Sequence, residues 1–227
     1  MQTDDERDRL RARQLAAEAA ASGDGTGWFE KLYAEADAGI SVVPWADGTP
    51  NPNLVSWAEA MSGDGRRALV VGCGLGYDAE FLARVGFAVT AFDVAPSAVA
   101  AARRENPGSP VTYVTADLLN LPPEWAGAFD LVMEAYTVQP LYGAAREGAI
   151  EALRGPVAPG GTLLVIARAT NEEDPVRDPA MMPWALTRAE LDAVAGGVLR
   201  AVRVEQFTDE EDPPRLRWRA EFRRDPA

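Results

Sequence analysis

The 227-residue sequence contains no histidine, one cysteine (Cys73) and one lysine (Lys31). Each scarcity removes a class of chemistry. Without histidine there is no Ser-His-Asp triad, no Cys-His dyad and no imidazole proton shuttle. Histidine-containing zinc sites are excluded, and one thiol cannot build a four-cysteine site or an intramolecular disulfide. No metal site is expected. No apolar run is long enough to cross a bilayer. The N-terminal stretch MQTDDERDRLRARQ has no apolar segment after its charged start, so no signal peptide is expected and the expected location is cytoplasmic. Positive charge is also scarce: 22 Lys+Arg stand against 35 Asp+Glu, a formal net charge of −13. Binding to a phosphate backbone needs clustered Lys/Arg, so neither nucleic acid nor membrane is an expected partner. An enzyme with this inventory draws its chemistry from a cofactor or from carboxylates.

With 47% hydrophobic and 25% charged residues, the composition is that of an ordinary globular protein. Two regions differ in texture. In residues 1–65, Asp4 to Ala21 reads as an Ala-rich helix with a thin apolar stripe, expected to dock loosely. A second helix is expected from Trp28 to about Ala38. The Pro/Gly-rich loop ISVVPWADGTPNPN follows, and Asn51-Pro52 caps a helix reaching Trp57 to Met61. Residues 66–227 read as the core. There RALVV, FAVTAFD, VTYVTAD, FDLVMEA and GTLLVIARA are short apolar runs, mostly separated by helical stretches such as YDAEFLARVG and PSAVAAARREN. Continuous apolar strands between helices predict an α/β fold, a doubly wound parallel sheet covered on both faces. Thr187 and Glu190 form a capping-box pattern for one more helix, ending near Gly196-Gly197. RLRWRAEFR alternates strictly, with Leu216, Trp218, Ala220 and Phe222 on one face. With VLRAVRVEQF and the acidic turn TDEEDPP it predicts a C-terminal antiparallel hairpin completing a seven-stranded, mostly parallel sheet.

The stretch LVVGCGLGYD (Leu69 to Asp78) carries the strongest chemical signal. Gly72, Gly74 and Gly76 sit between a strand and a helix, where glycine permits a tight turn and close approach of a ligand to the backbone. Asp93 ends the second strand, where an acid binds ribose hydroxyls. Asp117 ends the third, where it can accept from an adenine amino group. Together they describe a nucleoside pocket at the carboxyl ends of the strands. Tyr77 stands where pyrophosphate binders carry a third glycine. No tyrosine is followed four residues later by lysine, so the Tyr-x-x-x-Lys pair of short-chain dehydrogenases is missing. A phosphate-free cofactor fits better than a dinucleotide.

From Leu69 to about Ala169 the chain resembles class I S-adenosylmethionine-dependent methyltransferases. ALVVGCGLGYD, AFDVAPSAV, TADLLNLP, FDLVMEAYTVQPL and LRGPVAPGGTLLV match five motifs in order. The resemblance implies a Rossmann-like methyltransferase fold, with S-adenosyl-L-methionine as cofactor and S-adenosyl-L-homocysteine as product. It implies that Gly72 to Gly76, Cys73 included, line the methionine part. Asp93 with Val94 holds the ribose, Asp117 with Leu118 flanks the adenine, and Asp78 approaches the ammonium. Upstream, SVVPWADGTPNP resembles the signature of the thiopurine, thiol and halide methyltransferase group, whose N-terminal segment closes over the cofactor. Trp45 is the matching tryptophan. Plant members read F-D-Y after the fourth strand, where this chain has Met133-Glu134-Ala135-Tyr136, so halide or sulfide is not the expected acceptor.

Methyl transfer from a sulfonium needs alignment more than acid–base chemistry. If a base acts, Glu134 is the first candidate, with Tyr136 assisting, and Glu134 also counts among the candidate cofactor contacts. Cys73 is expected to be packed rather than nucleophilic. NEEDPVRDPAMMPW (Asn171 to Trp184) is a candidate lid, with Met181, Met182 and Trp184 as an apolar substrate pocket. The expected partner is a small-molecule methyl acceptor, an aromatic or heterocyclic thiol or another heteroatom, and the protein is expected to be a monomer or homodimer. A nicotinamide-dependent oxidoreductase and a cofactor-binding protein without activity stay open as alternatives.

Overall fold

Strand β1 (Arg67–Val71) buries alternate residues on opposite faces of one sheet. Leu69 and Val71 enter one apolar cluster, Ala68 and Val70 another. A strand buried on both sides has no polar face, which is why these runs are continuously apolar. The computed structural model describes residues 4–173, 175–178, 181–211 and 213–226. Asp174, Pro179, Ala180 and Asp212, which belong to the expected lid and acidic turn, lie outside the described residues.

Around β1 the chain adds β2 (Ala88–Asp93), β3 (Thr112–Thr115), β4 (Phe129–Ala135), β5 (Val157–Arg168), β6 (Leu199–Thr208) and β7 (Leu216–Arg224). The sheet order is β3-β2-β1-β4-β5-β7-β6. Neighbours are parallel from β3 to β5, and β7 runs antiparallel to both β5 and β6. The expected seven-stranded sheet and C-terminal hairpin are therefore present. Because β7 is reversed, its first residues and the end of β6 lie at the same sheet edge as the carboxyl ends of β1 to β5. Arg217 pairs in register with Arg168, and Leu216 with Thr208.

Helices α4 (Tyr77–Val85) and α5 (Pro96–Glu105) cover one face with α3 (Pro52–Ala58), through Leu54, Leu82 and Val99. Helices α6 (Gly143–Ala152) and α7 (Arg188–Ala193) cover the other, through Ile150, Leu153 and Leu191. Both sequence-level caps are made. The Asn51 side chain accepts from Asn53 N–H at 2.9 Å, and Thr187 and Glu190 exchange both capping-box bonds. Each of these two helices ends earlier than expected, at Ala58 and Ala193.

Helix α1 (Asp4–Ser22) differs from the loosely docked helix its thin stripe predicts. Ala12, Leu15 and Ala16 are buried against Trp28 and Leu32 of α2 (Gly27–Asp37) and against Met182 and Trp184. Alanines let the helices approach closely, so a narrow stripe suffices. Arg11 pairs with Glu35, and Arg13 Nε donates to the Met182 carbonyl at 3.1 Å.

Candidate functional site

The carboxyl ends of the strands open into a cavity of about 1220 Å³, roofed by residues 44–53 and α1. Its floor begins with the glycine loop after β1. Gly72 has φ +60, and a Cβ there would collide with the Thr137 side chain, so only glycine satisfies both the left-handed backbone and the close approach. The loop is tied to the end of β2: Cys73 N–H donates to the Phe92 carbonyl at 2.8 Å, and Gly74 N–H donates to Asp93 Oδ2 at 2.9 Å. Asp93 Oδ1 accepts from Ala95 N–H at 2.9 Å. Burial pushes the Asp93 carboxyl above its ordinary value, opposed by these N–H donors and that of Val94.

Val94, Asp117 and Leu118 continue the wall over β2 and β3. Asp117 Oδ1 accepts from Leu119 N–H at 2.9 Å, which curls the chain after β3. Trp45 closes this end from above. Its Nε1–H donates to the Tyr33 hydroxyl at 3.0 Å, and its ring meets Trp28, Phe29 and Tyr33 edge-on. Asp78 Oδ1 accepts from Asn51 N–H at 2.6 Å, latching the 44–53 segment to α4. Burial, only partly offset by that bond, pushes the Asp78 carboxyl up to about 6. Burial, then the Asp93 charge, pushes the Cys73 thiol well above its ordinary value, so thiolate is disfavoured and Cys73 is a packed loop residue.

The other end of the cavity lies over β4, β5 and the β6–β7 turn. Tyr136 lines it with φ +62, stacked beneath the Arg217 guanidinium at 5.0 Å. Thr137, Gln139, Met181, Met182, Arg168 and Arg217 also face this space. Burial raises the Tyr136 phenol above its ordinary value, with Arg217 and a hydrogen bond to Asn51 opposing it, so it is a neutral hydroxyl at physiological pH.

Three expected residues do not line the cavity. Gly76 caps α4 from behind, against the Tyr113 hydroxyl. Trp184 is buried with α1 and Tyr142, and its Nε1–H donates to the Asp178 carbonyl at 3.0 Å. Glu134 is the main correction: it is 0% exposed, and its Oε1 accepts from Thr137 N–H at 2.7 Å and Val138 N–H at 3.1 Å. Two residues apart on a strand means one face, so Glu134 shares the side of Val132 and props the turn beneath the cavity. It is not placed to take a proton from an acceptor.

Burial, opposed by the two N–H donors and the Arg146 charge, pushes the Glu134 carboxyl up to about 7. A carboxyl raised on folding contributes stability below its ordinary value of 4.5 that is lost as pH rises through 7. Glu134→Gln keeps an acceptor for both N–H groups and removes this loss. It is expected to leave turnover unchanged and to gain about 1–3 kcal/mol on wild type between pH 5 and pH 8 in urea unfolding. A selective loss of turnover with cofactor affinity intact would return Glu134 to the reacting centre.

Arg13, Gln139, Arg168 and Arg217 carry no sequence signal as site residues. They come from α1, the β4 loop, the end of β5 and the start of β7, and only the sheet order brings them together.

A glycine loop after β1, acids closing β2 and β3 and a roofed cavity above them have the arrangement in which open α/β sheets bind nucleosides. Residues 69–165 match the methyltransferase domain family. The ubiquinone biosynthesis O-methyltransferase of Xanthomonas axonopodis pv. citri (strain 306) is 40% identical over 85 residues, 36% of this chain and 36% of that protein. The first curated relatives are matched over only 36% to 42% of their own length. Among solved structures, one from work on conversion of a disulfide bond into a thioacetal group during echinomycin biosynthesis has a TM-score of 0.67 at 23% identity, covering 86% of this chain and 93% of that one. The N-methyltransferase NodS from Bradyrhizobium japonicum WM9, with S-adenosyl-L-homocysteine, has a TM-score of 0.60 at 23% identity, covering 80% and 91%. Residues 69–165 thus match a methyltransferase domain, and the structural neighbours share its fold, one of them an N-methyltransferase with S-adenosyl-L-homocysteine bound.

The residues present fit that cofactor. Asp78 is largely buried, faces the cavity and has no cation partner among the described residues, as a carboxylate receiving an ammonium requires. Asp93 Oδ2 accepts from Gly74 N–H and Oδ1 from Ala95 N–H, and a carboxylate, with about four lone-pair sites, can also accept from a hydroxyl.

Proposed function

We propose that the protein transfers a methyl group from S-adenosylmethionine to a thiol or another heteroatom of a small aromatic or heterocyclic compound. The observation that carries this reading is the single cavity joining the glycine loop to a second chamber over β4, β5 and β7. Its 1220 Å³ exceeds the ~300–1,000 Å³ of a one-ligand pocket, so it holds a cofactor and an acceptor together. In this reading Gly72, Cys73 and Gly74 line the methionine part. Asp93 and Val94 take the ribose, Asp117 and Leu118 the adenine, and Asp78 the ammonium, with Trp45 as part of the cover. Residues 1–65 serve as the cover and residues 66–227 as the core. Tyr136 and the Met181–Met182 wall orient the acceptor, and methionine adapts to varied ring shapes.

The cofactor supplies an electrophilic methyl group on sulfur, whose loss leaves a neutral thioether that needs no protonation. The protein's own work is alignment of two ligands and exclusion of water. A thiol acceptor reacts as its thiolate, which solution supplies near neutral pH. The missing histidine and the remote Glu134 are both compatible with that chemistry.

Thermal unfolding with S-adenosylhomocysteine and with NAD tests the cofactor. At 100-fold over its Kd, S-adenosylhomocysteine is expected to stabilise by about 2.7 kcal/mol, a Tm rise of about 5–10 °C, and NAD to have no effect. Stabilisation by NAD alone overturns the reading. A methyl-release assay over aromatic thiols, phenols and heterocycles tests the acceptor. Asp78 must ionise to receive an ammonium, so S-adenosylhomocysteine affinity should fall as pH drops through about 6, by about tenfold between pH 7 and pH 5. In Asp78→Asn that fall should disappear. An identical pH profile in variant and wild type would exclude the role.

A further inference from the structure

Charge is divided along the cavity. The end above β1 to β3 holds Asp78, Asp93 and Asp117. The end above β5 and the β6–β7 turn gathers four arginines: Arg13, Arg168, Arg215 and Arg217. Three carboxylates, Asp209, Glu210 and Glu211, lie at that same end. In a chain of net charge −13, this concentration of guanidinium calls for a physical reason.

Their partners separate them. Arg217 is engaged by Asp209 at 2.5 Å and by Glu211, and covers the Tyr136 ring. Arg215 pairs with Glu211 at 3.4 Å. Arg13 Nε is held by the Met182 carbonyl. Arg168 stands apart. Its Nη1 donates to the Pro183 carbonyl at 3.1 Å, and it forms no ion pair with a carboxylate among the described residues. Burial, then repulsion from Arg215 and Arg217, lowers its pKa, with Glu211 only partly compensating and Arg13 adding to the repulsion. The guanidinium still stays charged at neutral pH. Its backbone is fixed by sheet pairing to Arg217 and by its N–H donating to Gln139 Oε1 at 3.0 Å. A half-buried, positioned cation with most of its donors unspent is an anion receptor.

We propose that the second chamber takes an anionic acceptor, an aromatic or heteroaromatic ring bearing a carboxylate, which the Arg168 guanidinium fork receives. This rests on the methyltransferase reading above. The flat fork matches a carboxylate in two parallel hydrogen bonds. Asp209, Glu210 and Glu211 nearby favour a singly charged group over a phosphate dianion. Met181, Met182 and Pro183 supply an apolar wall for the ring.

Isothermal titration with matched acid and amide probes tests this: 2-mercaptobenzoate against 2-mercaptobenzamide, and 3-hydroxybenzoate against 3-hydroxybenzamide. Each is titrated with and without saturating S-adenosylhomocysteine. At least one acid is expected to bind about 10–100-fold more tightly than its amide, the range of one charge-assisted contact. Arg168→Gln should remove that preference and leave S-adenosylhomocysteine affinity unchanged. Arg168→Lys, which keeps the charge without the fork, should retain part of it. Equal binding of acid and amide in wild type, binding of neither, or a preference that survives Arg168→Gln overturns the proposal. Failure of S-adenosylhomocysteine to bind instead refutes the cofactor reading, and the acid-to-amide ratio without it still decides this one.

Discussion

Replacing Arg146 with methionine is expected to destabilise the protein by about 3–5 kcal/mol, a Tm loss of about 6–20 °C. Arg146 lies on α6, yet it is only 2% exposed. Its Nε and Nη2 bind Glu190 at 2.6 and 3.1 Å. Its Nη1 and Nη2 reach the carbonyls of Val138, Gln139, Leu141, Trp184 and Ala185 at 3.2 to 3.5 Å. One guanidinium thus joins the loop after β4 to the entry of α7. Methionine fills the volume but takes two donors from Glu190, leaving it to Arg177 and the Thr187 N–H, and strands several carbonyls, and unpaired buried groups are what make such losses large.

The loss should depend on pH. Burial alone would raise the Glu190 carboxyl, but the Arg146 hydrogen bond, the Thr187 N–H and the Arg146 and Arg177 charges outweigh it and hold it low. A depressed carboxyl contributes stability above its ordinary value of 4.5 that disappears as pH falls below it. The gap between wild type and Arg146→Met in urea unfolding should therefore narrow on acidification below about pH 4.5. A variant within 1 kcal/mol of wild type at pH 7 would show that the network is dispensable.

Asp93→Ala should weaken S-adenosylhomocysteine binding by about 100-fold, with a smaller loss of stability of about 1–3 kcal/mol. The buried carboxylate holds Gly74 N–H on one side and Ala95 N–H on the other, so it fixes the glycine loop and starts α5 at once. Alanine leaves both donors without an acceptor and removes the proposed ribose contact. Asn is a poor substitute, because its amide nitrogen must face one of two N–H donors. Titration calorimetry on variants whose far-ultraviolet circular dichroism is unchanged checks this. Affinity within threefold of wild type would exclude Asp93 from the cofactor site.

Features carried by contiguous residues were legible without the structure. The strands announce themselves because a sheet covered on both faces needs unbroken apolar runs. The capping box of α7 and the Asn51 cap depend on residues two or three apart. Gly72 and Asp93 belong to turns whose geometry the local sequence dictates.

Where a side chain ends up is a different matter. Glu134 has the right position along the chain for a strand-end base, but strand parity turns it under the floor. Trp184 reads as pocket wall and instead packs behind α1, nearly the whole chain away. Arg146 and Arg168 carry no sequence signal, and burial of the first makes it a structural hub while sheet position makes the second a candidate receptor.

The sequence by itself therefore determined the fold class, the glycine turn after β1 and the exclusion of histidine catalysis. Tertiary structure alone decided which charges face the cavity. Periodicity, turns and caps are short-range, whereas the acceptor end is assembled from α1, the β4 loop, β5 and β7, and strand order, not spacing, makes them neighbours.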